Sequence, residues 1–243
     1  MYNLLTITHD PDGKNLELWI KCKEIIEKYY HEIYMCVSHE TSNELLSALN
    51  DSRVNIKVIP KKGVSHARRS VVQFCSEHST TTADYHYCDF DRLLTWVDKF
   101  PNELKSILDT PLDCDYLILG RSEQAMETHP VEWKKTEEIT NYIFSEVFGQ
   151  QVDITAGSCM FCHQLSSIIL LYSKGSMTDA EWPAIVQRIK KSVIGYRAVD
   201  GLMYIEEVNG IRKELADIEK WISRLKLCVK IAESAEQITI SKE

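Results

Sequence analysis

The sequence predicts an α/β fold: a mostly parallel central sheet flanked by helices, with a long C-terminal helix after it. Three observations carry this. Apolar runs of strand length alternate with longer segments of helical period, which is the pattern of βαβ units. Apolar residues from Ile211 to Ala232 recur at alternating spacings of four and three on a charged background. The chain has 243 residues, 44% hydrophobic and 26% charged, enough for one substantial core without disulfide or metal.

The elements follow in order. Leu4–Thr8 is a short apolar run and reads as the first strand; Leu16–Tyr29 has helical period. Ile33–Val37 is the second strand, Asn43–Leu49 a short helix and Ile56–Ile59 the third strand. A helix over His66–His78, a strand over Asp84–Cys88, a helix over Arg92–Phe100 and a strand over Tyr116–Leu119 ending at Gly120 complete five strands. Beyond them lie a helix over Glu132–Phe148 ended by Gly149, a short strand at Val152–Ile154, helices over Leu165–Tyr172 and Ala180–Ser192, and a strand near Leu202–Ile205. No linker composition separates the parts, so residues 1–205 read as one domain and 206–243 as an appended amphipathic helix. Its stripe of Ile211, Leu215, Ile218, Ile222, Leu225, Val229 and Ala232 serves either packing on its own domain or a homodimer.

Charge and cysteine usage narrow the function classes. Lys plus Arg number 28 against 36 Asp plus Glu, a net charge of −8, so nothing tracks a phosphate backbone or an anionic membrane. Nucleic acid is excluded as a partner on that ground. Met1–Thr6 carries neither a basic stretch nor a long apolar run, and the longest purely apolar run is 168–172, which predicts no secretion and no transmembrane segment. Eight cysteines lie scattered, mostly in apolar segments, as buried thiols of a cytoplasmic protein do.

Three Asp-x-Asp pairs occur, Asp10/Asp12, Asp89/Asp91 and Asp113/Asp115. Residues two apart in an extended chain face the same side, so each pair can converge on one cation or on a cation and a ribose. Ligands of open α/β sheets sit outside the carboxyl ends of the strands. Asp89/Asp91 follow a strand, Asp113/Asp115 precede one, and Asp10/Asp12 follow the first strand in a Pro-Gly turn that can rim a nucleotide. Cys159-Met160-Phe161-Cys162-His163 matches a haem-attachment pattern, but no export signal and no second Cys-x-x-Cys accompany it, so buried structural cysteines are the reading. Dinucleotide and P-loop glycine motifs are missing.

Tyr87-Cys88-Asp89-Phe90-Asp91 resembles the Asp-x-Asp strand end of family 2 glycosyltransferases with the GT-A fold. Asp115–Arg121 is similar to that family's strand ending in a Gly/Ser-Arg turn, Gly149–Ser158 to its Gly-x-x-Val-x-Asp-x-Thr-Ser-Gly segment, and Gly63–Arg69 to its Gly-x-x-x-Ala-Arg-Asn helix start. The resemblance implies a GT-A-like domain over 1–205 that transfers a sugar from a UDP- or GDP-linked donor to an acceptor the sequence does not identify. It implies Mg²⁺ or Mn²⁺ on Asp89 and Asp91, and nucleotide-sugar contacts from Thr8, Asp10, Arg68, Arg69, Asp89 and Arg121. The inverting base it implies is Asp179 or Glu181, although Thr178-Asp179-x-Glu181 also reads as a helix start rich in acidic residues. Thr8-His9-Asp10 and Ser38-His39-Glu40 stand where the family carries its base-recognition acids, and no Arg follows Gly157-Ser158. A non-catalytic binding or assembly protein on the same fold is therefore the alternative.

Overall fold

The computed structural model describes residues 2–210 and 216–240. Seven strands form one sheet in the order β3-β2-β1-β4-β6-β5-β7. The first half is built as expected: β1 (Asn3–Thr8), α1 (Leu16–Tyr29), β2 (Ile33–Ser38), α2 (Asn43–Asn50), β3 (Val54–Ile59), α3 (Val64–His78) and β4 (Tyr85–Cys88). β1 pairs in parallel with both β2 and β4, and β2 in parallel with β3. β1 and β2 are buried almost throughout, because helices cover both faces of the sheet.

β4 runs without a loop into α4 (Phe90–Lys99), then α5 (Pro101–Asp109), β5 (Tyr116–Arg121), the short α6 (Glu123–Glu127) and α7 (Val131–Phe148). β6 (Ser158–Phe161) lies between β4 and β5, antiparallel to both. The chain continues through α8 (Leu165–Tyr172) and α9 (Thr178–Ile185), whose last turn widens into a π-helical stretch at Val186–Lys190. β7 (Ile194–Val199) then pairs in parallel with β5, and α10 (Glu206–Asn209) and α11 (Asp217–Ile240) follow.

Four expectations are corrected. Val152–Ile154 forms no strand; both apolar side chains are buried, but the backbone turns so that Asp153 meets Arg121, and the strand is Ser158–Phe161. Leu202–Ile205 is likewise irregular, and the edge strand is Ile194–Val199. The helix expected over 180–192 is α9 plus the π stretch, closed by Lys191 at φ 57°. α5 starts on Pro101 at a helical position that needs no N–H, a start signal that the five-strand reading passed over.

Two apolar cores fill the faces of the sheet. One joins the inward residues of α1, α2, α4 and α5. The other joins α3, α8, α9 and the buried face of α11, where Ile231, Ala235 and Ile238 are within 4% of full burial. α11 therefore packs on its own domain. The expected stripe faces the other way: Ile218, Ile222, Leu225 and Val229 are exposed, Ala232 is half-buried, and Ile211 and Leu215 lie outside the described residues.

Candidate functional site

The parallel strands β1 to β4 all end on one edge, and that edge carries the site. At the end of β1, Thr8 is buried and Asp10 turns back on the chain: Lys14 N and Asn15 N donate to its two carboxylate oxygens at 3.0 and 2.8 Å. Asp10 thus holds the turn that launches α1, through the amides of the two residues that precede the helix. A cleft of about 600 Å³ opens beside it, lined by Thr8, Ser38, Ile59, Gly63, Asp89 and Asp91 among others, with Lys14, Lys61 and Lys62 on its rim. The lysines stand beside three aspartates, Asp10, Asp89 and Asp91, in the same lining, and Lys61 is paired with Glu40 at 2.8 Å.

Asp89 stands at the N-cap of α4 yet makes no cap hydrogen bond. Its carboxylate goes to Arg68 instead: Arg68 Nη2 donates to Oδ2 at 2.7 Å, and the Tyr87 hydroxyl donates to Oδ1. Arg68 sits on the buried side of α3, 5% exposed, and donates on through Nη1 to Thr178 Oγ1 at 3.0 Å and to Asp179 Oδ2. Burial opposes its charge, but Asp179 and Asp89 together outweigh that and hold its pKa well up. One guanidinium therefore ties the end of β4 to the start of α9. Burial raises the pKa of Asp179, with Arg68 offsetting part of the rise.

Asp91, in the first turn of α4, faces the same cleft and accepts from Asn209 Nδ2 at 2.8 Å, while Asn209 Oδ1 accepts from Ile205 N. Burial raises its pKa, Arg92 works against the rise, and Asp89 adds to it. Asn209 is delivered by a turn that Glu103 clamps, accepting from Asp200 N, Gly201 N and the Trp96 indole at 2.8–2.9 Å. Gly157 enters β6 at φ 74°, and a Cβ there would lie 2.7 Å from Asp89 Oδ2.

Beyond the carboxylates a second cleft of about 360 Å³ opens, sharing Val64, Asp89, Asp91 and Asn209 with the first. Asp179, Arg92, Arg121, Trp133 and Arg224 line it. Arg121 ends β5 and is clamped: Asp153 accepts from its Nε at 2.7 Å and Nη2 at 2.8 Å, and Glu137 pairs with it at 2.6 Å. Burial pushes the Asp153 carboxyl up, but Arg121 more than reverses this and holds it far below the usual range. Glu137 is shared with Arg224 of α11, whose guanidinium also lies 3.9 Å from the Trp133 ring centroid.

Arg68, Asp89, Asp91, Asp179 and Arg121 thus gather around the junction of the two clefts. Arg69 does not join them, since successive helical residues point apart; it donates to Gly175 O at 2.9 Å and to Ser173 Oγ. Glu181, 1% exposed, accepts from Ser173 Oγ, Lys174 N and Gly175 N beneath the same loop. Asn209, Arg92, Arg224 and Glu137 were missed. Asn209 and Arg224 sit in segments read only for apolar spacing, and nothing local distinguishes their side chains.

No group of three or more His, Cys, Asp or Glu that could hold a metal occurs among the described residues. Mg²⁺ in phosphate chemistry is usually held by one or two carboxylates, with phosphates and waters completing the shell. Asp89 and Asp91, half-buried at a cleft junction, fit a cation that arrives with a diphosphate. No described helix is long and apolar enough to cross a membrane, and all eight cysteines are free.

No family model matches the chain, and no curated protein matches it significantly in sequence. Among solved structures it is similar to glucosyl-3-phosphoglycerate synthase from Mycobacterium tuberculosis in complex with uridine diphosphate. The TM-score is 0.59 at 10% identity, covering 97% of this chain and 80% of that one. The same enzyme in complex with Mn²⁺, uridine diphosphate and phosphoglyceric acid matches with TM-score 0.59 at 11% identity, covering 97% and 78%. The fold is that of the GT-A nucleotide-sugar glycosyltransferases.

Proposed function

We propose that this protein is a family 2-like glycosyltransferase that moves a sugar from a UDP- or GDP-linked donor to an acceptor bound in the second cleft. The observation that carries the reading is the meeting of two clefts at Asp89 and Asp91, the first of them reached by Lys14 and Lys62. In this reading the nucleotide lies along the ends of β1, β2 and β3, with Thr8 and the Asp10 turn shaping its seat. The diphosphate comes to the carboxylate pair, which would hold Mg²⁺ or Mn²⁺. When bound, that ion neutralises charge growing on the leaving diphosphate.

Asp89 and Asp91 would hold that cation, and Asn209 fixes the Asp91 carboxylate by donating to it while its own amide oxygen is engaged by Ile205 N. Asp179 is the base of this mechanism: it lines the second cleft, and burial keeps its proton affinity above that of an ordinary aspartate. Arg68 positions it against Asp89. Glu181 shapes the 173–175 loop by accepting its amides. Arg121, saturated by Asp153 and Glu137, shapes the wall of the second cleft and has little left to offer a phosphate.

The alternative, a binding protein that has lost transfer chemistry, is favoured by one observation. Arg68 already supplies Asp89 with a cation of the chain's own. Melting curves with UDP, GDP and their sugars, with and without Mn²⁺, separate the readings. Saturating donor at about 100 times its Kd stabilises by ~2.7 kcal/mol. A metal-dependent shift lost in Asp89→Asn/Asp91→Asn supports transfer; no shift with any nucleotide removes the transfer reading and leaves the non-catalytic binding or assembly protein.

A further inference from the structure

We propose that α11 pairs with α11 of a second copy in antiparallel orientation, making the protein a homodimer. One face of this helix is spent on its own domain, through Ile231, Ala235 and Ile238. The opposite face carries Ile218 at 65%, Ile222 at 44%, Leu225 at 47% and Val229 at 56% exposure, four large apolar side chains within twelve residues. A helix that is apolar on both faces has two surfaces to cover. α7, packed beside it, leaves Ile139, Tyr142 and Ile143 exposed as well.

The spacing says what covers the stripe. Intervals of four, three and four read the same in both directions, so an antiparallel copy places Ile218 against Val229 and Ile222 against Leu225, twice over. That self-complementarity is what an isologous two-fold contact requires. The flanking charges agree. Glu219 and Lys226 occupy the equivalent flanking position one heptad apart, and the antiparallel pairing sets Glu219 of one copy against Lys226 of the other. A parallel pairing gives these two residues no such match.

The contact also bears on the clefts. The buried side of the same helix carries Arg224, Leu227 and Ile231 into the wall of the second cleft. Clamping α11 from outside holds that wall in place.

Sedimentation of the full chain tests this. The expected mass is twice 28.1 kDa at micromolar concentration. Leu225→Glu should give the monomer with unchanged circular dichroism, because the stripe is exposed in the subunit. Glu219→Lys and Lys226→Glu should each weaken the dimer at least several-fold, and the double swap should restore it. A monomeric wild-type chain at 100-micromolar order, or a dimer that survives Leu225→Glu, overturns the proposal. Single swaps without effect, or a double swap that fails to restore, overturn the antiparallel register. None of these readouts involves nucleotide, so they stand or fall apart from the glycosyltransferase reading.

Discussion

Replacing Arg68 with Met removes the charge at the centre of the site while keeping most of the side chain's length. Four groups lose a partner at once: Asp179 and Asp89, whose side chains are 9% and 24% exposed, and the hydroxyls of Thr178 and Tyr87. Removing one member of a buried ion pair leaves an uncompensated charge and costs about 3–5 kcal/mol. For a chain of this size that lowers Tm by roughly 6–20 °C. Urea unfolding followed by tryptophan fluorescence measures it directly, since Trp182 is buried within ring contact of Tyr87. The deficit depends on pH in a defined sense. Burial already places the folded pKa of Asp179 above its unfolded value, so its ionised form costs stability once pH rises through the folded pKa. Losing Arg68 enlarges that cost, so the deficit is largest at neutral pH and shrinks as acid protonates Asp179. Adding Asp179→Asn to Arg68→Met should recover part of the loss. A deficit under ~1 kcal/mol at pH 7, the scale of an exposed pair, or one that grows on acidification, refutes the role given to Arg68.

Two further outcomes follow from the same geometry. Asp91→Asn should raise Tm at pH 7, because burial holds the Asp91 carboxyl above its unfolded pKa and its ionised form is a cost; the gain should vanish below about pH 4, where both forms are neutral. The same variant should lose cation-dependent nucleotide binding in calorimetry, and a lower Tm than wild type at pH 7 would contradict this account. Gly157→Ala forces a side chain into left-handed backbone at ~1–2 kcal/mol and pushes a methyl onto Asp89 Oδ2, so denaturant midpoint and nucleotide affinity should fall together; an unchanged midpoint would show that the β6 turn tolerates it.

The half of the fold that could be read from sequence is the half whose contacts repeat a local unit. β1 to β4 are apolar runs separated by helices of clear period, and their boundaries came within a few residues. β6 and β7 were misplaced for opposite reasons. Val152 and Ile154 alternate and are buried, yet Asn141 and Arg121 recruit Asp153 between them and bend the chain. Ile194–Val199 contains Gly195 and Arg197 and looks unlike a strand, but it is an edge strand with one open side. At the site, strand polarity picked Asp89/Asp91 over Asp113/Asp115, and the former pair lies at the cleft junction. What joins that pair to Asp179 is Arg68, 111 positions away in the chain. No spacing rule reaches that far, and Arg68 could not be told from Arg69 without knowing which side of α3 is buried.

The reversed strand has a consequence for how the molecule is assembled. β6 is the only described strand that must be inserted between two others, Cys88 facing Ser158 on one side and Ile118 facing Cys159 on the other. β1 and β2 pair with sequence neighbours, whereas this insertion joins β6 to β4 across about 70 residues and to β5 as well, and contacts of that range slow folding. Asp89 N donates to Gly157 O at 3.2 Å across the same seam. The carboxylate pair therefore acquires its final surroundings only once the two halves of the sheet have been zipped together, and a fragment ending before residue 158 would lack a working floor for it even with every strand up to β5 in place.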